Sequence, residues 1–140
     1  MNVEYIRPPN FADIFKVFGR ECCKNGVLFT YGNTLYNPSR VPIPPSLFAH
    51  EEVHSRRQLA VLMGPELWWS NYLTDKSFRY TEELIAHQVE YLKATENGGR
   101  AERRRYLAVI SERLASPLYG KMTTKDRAKA AILAMRGAET

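Results

Sequence analysis

Two histidines four positions apart, with a glutamate directly after the first, form the stretch His50-Glu51-Glu52-Val53-His54. On an α-helix, residues i and i+4 project from one face about a turn apart, so His50 and His54 could hold a single metal ion between them. Two imidazoles are half of a tetrahedral zinc site. Glu51 falls about 100° further round the helix, too far to share the same coordination position but near enough to reach a water on the ion. That is the place of a general base: zinc acts as Lewis acid and acidifies its water, the carboxylate takes the proton, and a polarised peptide carbonyl is attacked. The pattern alone would arise by chance in roughly one chain in two hundred of this histidine and glutamate content. A catalytic zinc keeps three protein ligands and one open position, so a further acidic or histidine ligand has to come from another segment.

The stretch RYTEELIAHQVEYL, Arg79 to Leu92, offers that ligand. Glu83 is followed at i+3 by the small Ala86 and at i+4 by His87. Phe78, Ile85, Val89 and Leu92 make an apolar stripe, while Glu83, His87 and Glu90 make a separate polar one that could face a metal. Ala86 would let this helix approach the histidine helix closely, as a ligand bond of about 2 Å demands. Glu82 is the alternative, but it lacks a small residue at i+3.

With HEEVH and EELIAH both present, the chain resembles the gluzincin group of zinc metallopeptidases, in which HExxH pairs with a downstream glutamate. The resemblance implies that His50, His54 and Glu83 bind one zinc ion, that Glu51 is the catalytic base, and that His87 occupies the place of the acid that orients a ligand histidine. Glu52, Glu82 and Glu90 are carboxylates that could take over that orienting role. Tyr36, Arg79, Tyr80 and His87 are the candidates for stabilising an oxyanion. The order of motifs over roughly residues 26–120 is similar to small uncharacterised metallopeptidase-like proteins of tailed-phage genomes.

The elements that must position these residues follow from periodicity and punctuation. Apolar residues at 3–4 spacing predict a helix from Asn10 to about Lys24, stopped by Asn25-Gly26. The runs VLFTY and TLYN, on either side of Gly32-Asn33, predict a β-hairpin from Val27 to Asn37. By the gluzincin resemblance, Thr34 to Asn37 is the sheet edge that pairs with an extended substrate. Pro44, Pro45 and Ser46 open a helix that runs from about Pro45 to Met63, with Ser46 supplying cap chemistry. After Gly64-Pro65 a short helical turn or loop carries Trp68, Trp69 and Tyr72, with the tryptophans in the core. A long helix is expected from Lys76 to Thr95, and two more near Ala101 to Ala115 and Thr124 to Gly137, with a cap at Thr123 to Asp126.

Length and composition fit this scheme. The chain of 140 residues suits one domain with a real core, being 44% hydrophobic and 25% charged. The adjacent Cys22 and Cys23 speak against a disulfide-stapled scaffold, and no apolar run approaches the roughly 18 residues of a membrane span. The opening MNVEYIRPPN lacks a signal-peptide layout, so the expected location is the cytoplasm, a host's cytoplasm if the chain is phage-encoded. The net charge of +5 concentrates toward the end, in Arg100, Arg103, Arg104, Arg105, Lys121, Lys125, Arg127, Lys129 and Arg136. A solvated helix face explains such charge more simply than nucleic-acid binding, because no stacking motif accompanies it.

The expected molecule is thus a mostly helical α+β domain over residues 1–140, a minimal gluzincin-like fold with a small hairpin sheet. Its core spans 26–96, its C-terminal helices span 100–137, and one zinc ion sits between two antiparallel helices. The expected activity is zinc-dependent hydrolysis of a peptide or protein substrate. The alternatives are a catalytically silent, zinc-stabilised phage structural or assembly protein, and a nucleic-acid-binding protein that uses the basic C-terminal helices.

Overall fold

A computed structural model describes residues 1–60 and 62–134. The chain is α+β. Its elements in order are β1 (Asn2–Glu4), α1 (Phe11–Phe18), β2 (Phe29–Tyr31), β3 (Thr34–Tyr36), α2 (Pro45–Gln58), α3 (Pro65–Thr74), α4 (Lys76–Thr95), α5 (Arg100–Leu114) and α6 (Lys125–Ala134). Short 3₁₀ turns cover Gly19–Cys23 and Pro117–Tyr119. Among the described residues no helix is long and apolar enough to cross a membrane.

The hairpin forms as its turn chemistry requires. Gly32 takes a positive φ of 61° and Asn33 does not, the pattern of a turn whose first central residue alone is left-handed. The sheet, however, has three strands in the order β1-β3-β2. Residues Asn2–Glu4 lie parallel to β3, with Val3 opposite Leu35, and the Asn37 N–H donates to the Glu4 carbonyl at 2.7 Å. This corrects the expectation for Thr34 to Asn37: β3 is the central strand, and the edges are β1 and β2. Three exposed residues carry no hydrophobic alternation, so β1 left no signal that would mark it as a strand.

The helices depart from expectation at their ends, each for a local reason. The helix expected over Asn10 to Lys24 breaks at Gly19, whose φ of 59° ends α1 and starts the 3₁₀ turn. The helix expected to reach Met63 stops at Gln58, because Leu59 and Leu62 project into solvent and find nothing to pack against. Ser46 lies inside α2 without capping it; Pro44 holds the cap position and Pro45 the first turn. Around Trp68 the chain makes a full ten-residue helix. α4 has the expected bounds, and Asp75 caps it by accepting from the N–H groups of Ser77 and Phe78. Thr124 caps α6 through the Arg127 N–H, and the expected end at Gly137 lies outside the described residues.

Two apolar clusters flank the middle of the molecule. The first joins Ile14, Cys22, Phe29, Trp68, Trp69 and Tyr72; the second joins Tyr91, Ile110, Leu114, Ala128 and Ile132. Between them α2 and α4 pack antiparallel, with Arg57 near Glu82, His54 near Glu83 and His50 near Glu90. The layer they share is polar: Glu51, Glu82, Glu83 and Glu90 are all buried. Each ion taken out of water costs several kcal/mol unless it is paired, so a layer of this kind needs a specific set of partners.

Candidate metal centre

α2 contributes His50 and His54 from one face, as their spacing requires, and α4 contributes Glu83 from opposite. His54 Nε2 lies 3.2 Å from His50 Nε2 and 2.9 Å from Glu83 Oε1, and His50 Nε2 lies 3.4 Å from the same carboxylate oxygen. A tetrahedral ion with bonds of about 2.0–2.1 Å holds its ligand atoms about 3.3 Å apart, so the three atoms already stand near the separation of three corners of such a polyhedron. All three residues are buried, and together they form a group that could hold a metal ion.

The protonation pattern supports the same geometry. His50 Nδ1 faces Glu90 Oε1 at 2.9 Å, and a carboxylate only accepts, so Nδ1 carries a proton and Nε2 is the nitrogen that faces the cluster. Without a metal, burial pulls the His50 pKa down, but hydrogen bonds to Glu83 and Glu90 outweigh it and push the value up to about 10. Burial would raise the Glu83 carboxyl, yet the facing His54 and His50 hold it well below the usual range. Glu90 follows the same logic: His50, helped by Arg113 Nη2 at 2.7 Å from Oε2, overcomes burial and holds it at about 2.

Glu83 and Glu82 point to different partners. Glu83 Oε2 receives the Tyr72 hydroxyl at 3.4 Å, while Glu82 accepts from Trp68 Nε1 and Arg57 Nε, both at 2.6 Å, away from the cluster. The next carboxylate, Glu51, lines the same cavity as the cluster, and its Oε2 accepts the Thr30 hydroxyl at 2.7 Å. Thr30 in turn sits on β2 because the Gln58 amide ties strand to helix. Its Nε2 donates to the Thr30 carbonyl at 2.8 Å, and its Oε1 accepts the Gly32 N–H at 2.7 Å. Gln58 thereby occupies part of the outer edge of β2 as a neighbouring strand would.

His87 packs against His50, as the resemblance implied, but makes no hydrogen bond to it. It is fully buried behind His50, with ring centroids 4.6 Å apart and edge-on, and it does not line the cavity. Its Nδ1 donates to the Glu83 carbonyl at 2.7 Å, leaving Nε2 buried without a hydrogen-bond partner. Burial, reinforced by the charge on His50, pushes its pKa down to about 4, so it is neutral. The carboxylate hydrogen-bonded to His50 is that of Glu90, one turn further along α4. His50, His87 and Glu90 form a second, overlapping group of possible ligands, but the His50–Glu90 contact has the geometry of a hydrogen bond and His87 does not line the cavity.

Of the candidates for an oxyanion donor, Tyr36, Arg79 and Tyr80 do not line the cavity. Arg79 is spent on three backbone carbonyls, those of Tyr72, Leu73 and Tyr119. Thr30, Tyr72, Arg113 and Tyr119 surround the cluster without having carried any signal in spacing. The cavity itself has a volume of about 500 Å³ and is walled largely by apolar groups, among them Phe18, Val27, Leu28, Leu47, Val109 and Leu118. Comparison of the chain with protein-family models, with curated proteins and with solved structures found no match, so the reading of this centre rests on its own geometry.

Proposed function

We propose that the protein is a zinc-dependent peptidase, with His50, His54 and Glu83 as metal ligands and Glu51 as general base. One observation carries this reading: the three converging ligand atoms and the Glu51 carboxylate border one cavity of about 500 Å³. A purely structural site would be closed on all sides, whereas catalysis needs an open position. Two imidazoles and one carboxylate are a donor set that suits zinc. Bound there, zinc supplies Lewis acidity, polarising a carbonyl and acidifying water.

The remaining work falls to the chain's own groups. Glu51 accepts a proton on its carboxylate, which the Thr30 hydroxyl holds in place through Oε2. Glu90 fixes the ring plane and tautomer of His50, and Tyr72 restrains the second oxygen of Glu83. The apolar wall receives a hydrophobic side chain of the substrate. The segment Val27 to Thr30 also lines the cavity, so β2 is the strand edge available to an extended peptide. Because Gln58 already holds Thr30 O and Gly32 N, strand alternation leaves the Leu28 carbonyl and Thr30 N–H as the next outward pair.

Zinc-loaded protein incubated with a peptide library, read by mass spectrometry, tests the proposal. Cleavage is expected in the parent and lost in Glu51→Gln, with about one zinc per chain retained in both. Undiminished cleavage by Glu51→Gln would refute the assigned base. Zinc retention without any cleavage by the parent would leave the same three ligands as a clip that ties α2 to α4.

A further inference from the structure

We propose that Tyr119 is a catalytic residue whose phenolic O–H donates a hydrogen bond to the carbonyl oxygen of the scissile peptide as negative charge gathers on it. The inference rests on the peptidase reading above and adds the donor which that reading lacks. Attack on a peptide carbonyl places charge on oxygen, and a fixed donor aimed at that position is among the largest contributions a site can make. Tyr119 brings its ring to the cavity that His50, Glu51, His54 and Glu83 border. The ring stands edge-on to His87 at 5.6 Å, and His87 in turn packs on His50.

The placement of Tyr119 is built by several independent ties. It closes the 3₁₀ turn Pro117–Tyr119, and the turn folds back on itself through the Gly120 and Lys121 N–H groups, which donate to Pro117 O and Ser116 O. Buried Arg79 reaches across from α4 and donates to the Tyr119 carbonyl at 3.1 Å while holding Tyr72 O and Leu73 O with its other nitrogens. Gly120 is needed for this clamp: its φ is 88°, and a Cβ there would stand 3.1 Å from Arg79 Nη1. A backbone anchored this way holds the root of the side chain in place without reorganisation during a reaction.

The three donors nearest the cluster are committed elsewhere. The Tyr72 hydroxyl is committed to Glu83 Oε2 and its ring is stacked on Trp68 at 4.9 Å. Neutral His87 keeps its one ring proton on Nδ1, facing the Glu83 carbonyl, and has none to give at Nε2. Arg113 is paired with Glu90. Burial, and then the carboxylates of Glu83 and Glu51, hold the Tyr119 phenol well above its ordinary value, which keeps it a donor at neutral pH.

Tyr119→Phe removes the O–H and leaves the ring. In zinc-loaded protein it is expected to lower kcat about 10²–10³-fold with little change in KM, as for loss of one oxyanion donor. Zinc content and melting midpoint stay at the parent values, and Tyr80→Phe, on the far side of α4 against the second core cluster, leaves kcat unchanged. A phosphinic peptide, whose tetrahedral oxygens mimic the charged intermediate, is expected to bind Tyr119→Phe more weakly by the same factor as the fall in kcat/KM, while a cleavage-product peptide binds both proteins alike. Tyr119→His, which restores a ring donor, recovers activity over Tyr119→Phe. Parent-like kcat in Tyr119→Phe, equal weakening of phosphinic and product peptides, or a histidine variant no better than phenylalanine would each overturn the assignment of Tyr119 alone. A zinc-loaded parent that cleaves no peptide overturns the peptidase reading, and this inference with it.

Discussion

His50 and Glu90 meet across the α2–α4 interface with Nδ1 2.9 Å from Oε1, and this contact decides which nitrogen of His50 is free to bind a metal. The carboxylate holds a proton on Nδ1, so Nε2, which faces His54 and Glu83, is the nitrogen left to bind a metal once its own proton is displaced. Arg113 on α5 keeps Glu90 ionised from the other side, which couples the C-terminal helices to the centre.

Glu90→Gln keeps the shape but gives up the charge. Zinc affinity, measured by competition with a chromophoric chelator, is expected to fall about 10–100-fold while stoichiometry at saturation stays at one. Unchanged affinity would mean that His50 needs no orienting partner.

Metal uptake should release a proton. The metal-free His50 holds its proton up to a pH of about 10, because burial, which lowers the value, is outweighed by Glu83 and Glu90. At neutral pH the protonated form dominates, zinc must displace that proton, and affinity therefore rises as pH rises toward 10. Calorimetry of zinc binding in buffers of different ionisation enthalpy is expected to show about one proton released per ion at pH 7, and no buffer dependence would contradict the charged state of His50.

Gln58 is fully buried and satisfies two backbone groups of the hairpin. In Gln58→Ala the Thr30 carbonyl keeps Trp69 Nε1, but the Gly32 N–H loses its acceptor. Urea denaturation is expected to show a loss of about 2–3 kcal/mol, the cost of one orphaned buried donor with some lost packing. A loss under about 0.5 kcal/mol, the size of an ordinary surface change, would show the tie to be dispensable.

Thr30→Val replaces the hydroxyl that holds Glu51 with a methyl group of similar size. The expected result is a fall in kcat of about tenfold with zinc content unchanged, since the carboxylate loses its tether but no metal ligand is touched. Parent-like turnover would remove Thr30 from the site.

How much was legible in the sequence depends on the range of the interaction. His50 and His54 share a face because helix geometry puts i and i+4 together, whatever the rest of the chain does. Glu83 was selected over Glu82 by Ala86 at i+3, which is fully buried where α4 meets α2. The bounds of α4 and the turn at Gly32 followed from local chemistry in the same way. Helix ends were less legible, since α2 stops where burial stops and not where a breaker stands.

The chain's own text therefore determined the α+β class, the two histidines, and the carboxylate opposite them, because each follows from covalent periodicity or from residues a turn apart. Packing alone decided that Glu90 and not His87 orients His50, that β1 pairs with β3 and makes it the central strand, and that Thr30, Tyr72 and Tyr119 surround the cluster. Those pairings join segments separated by 20 to 40 residues or more, as in Thr30 with Glu51 and His50 with Glu90, and no local spacing encodes them. They exist because buried charge must find partners wherever the close-packed helices bring them within reach.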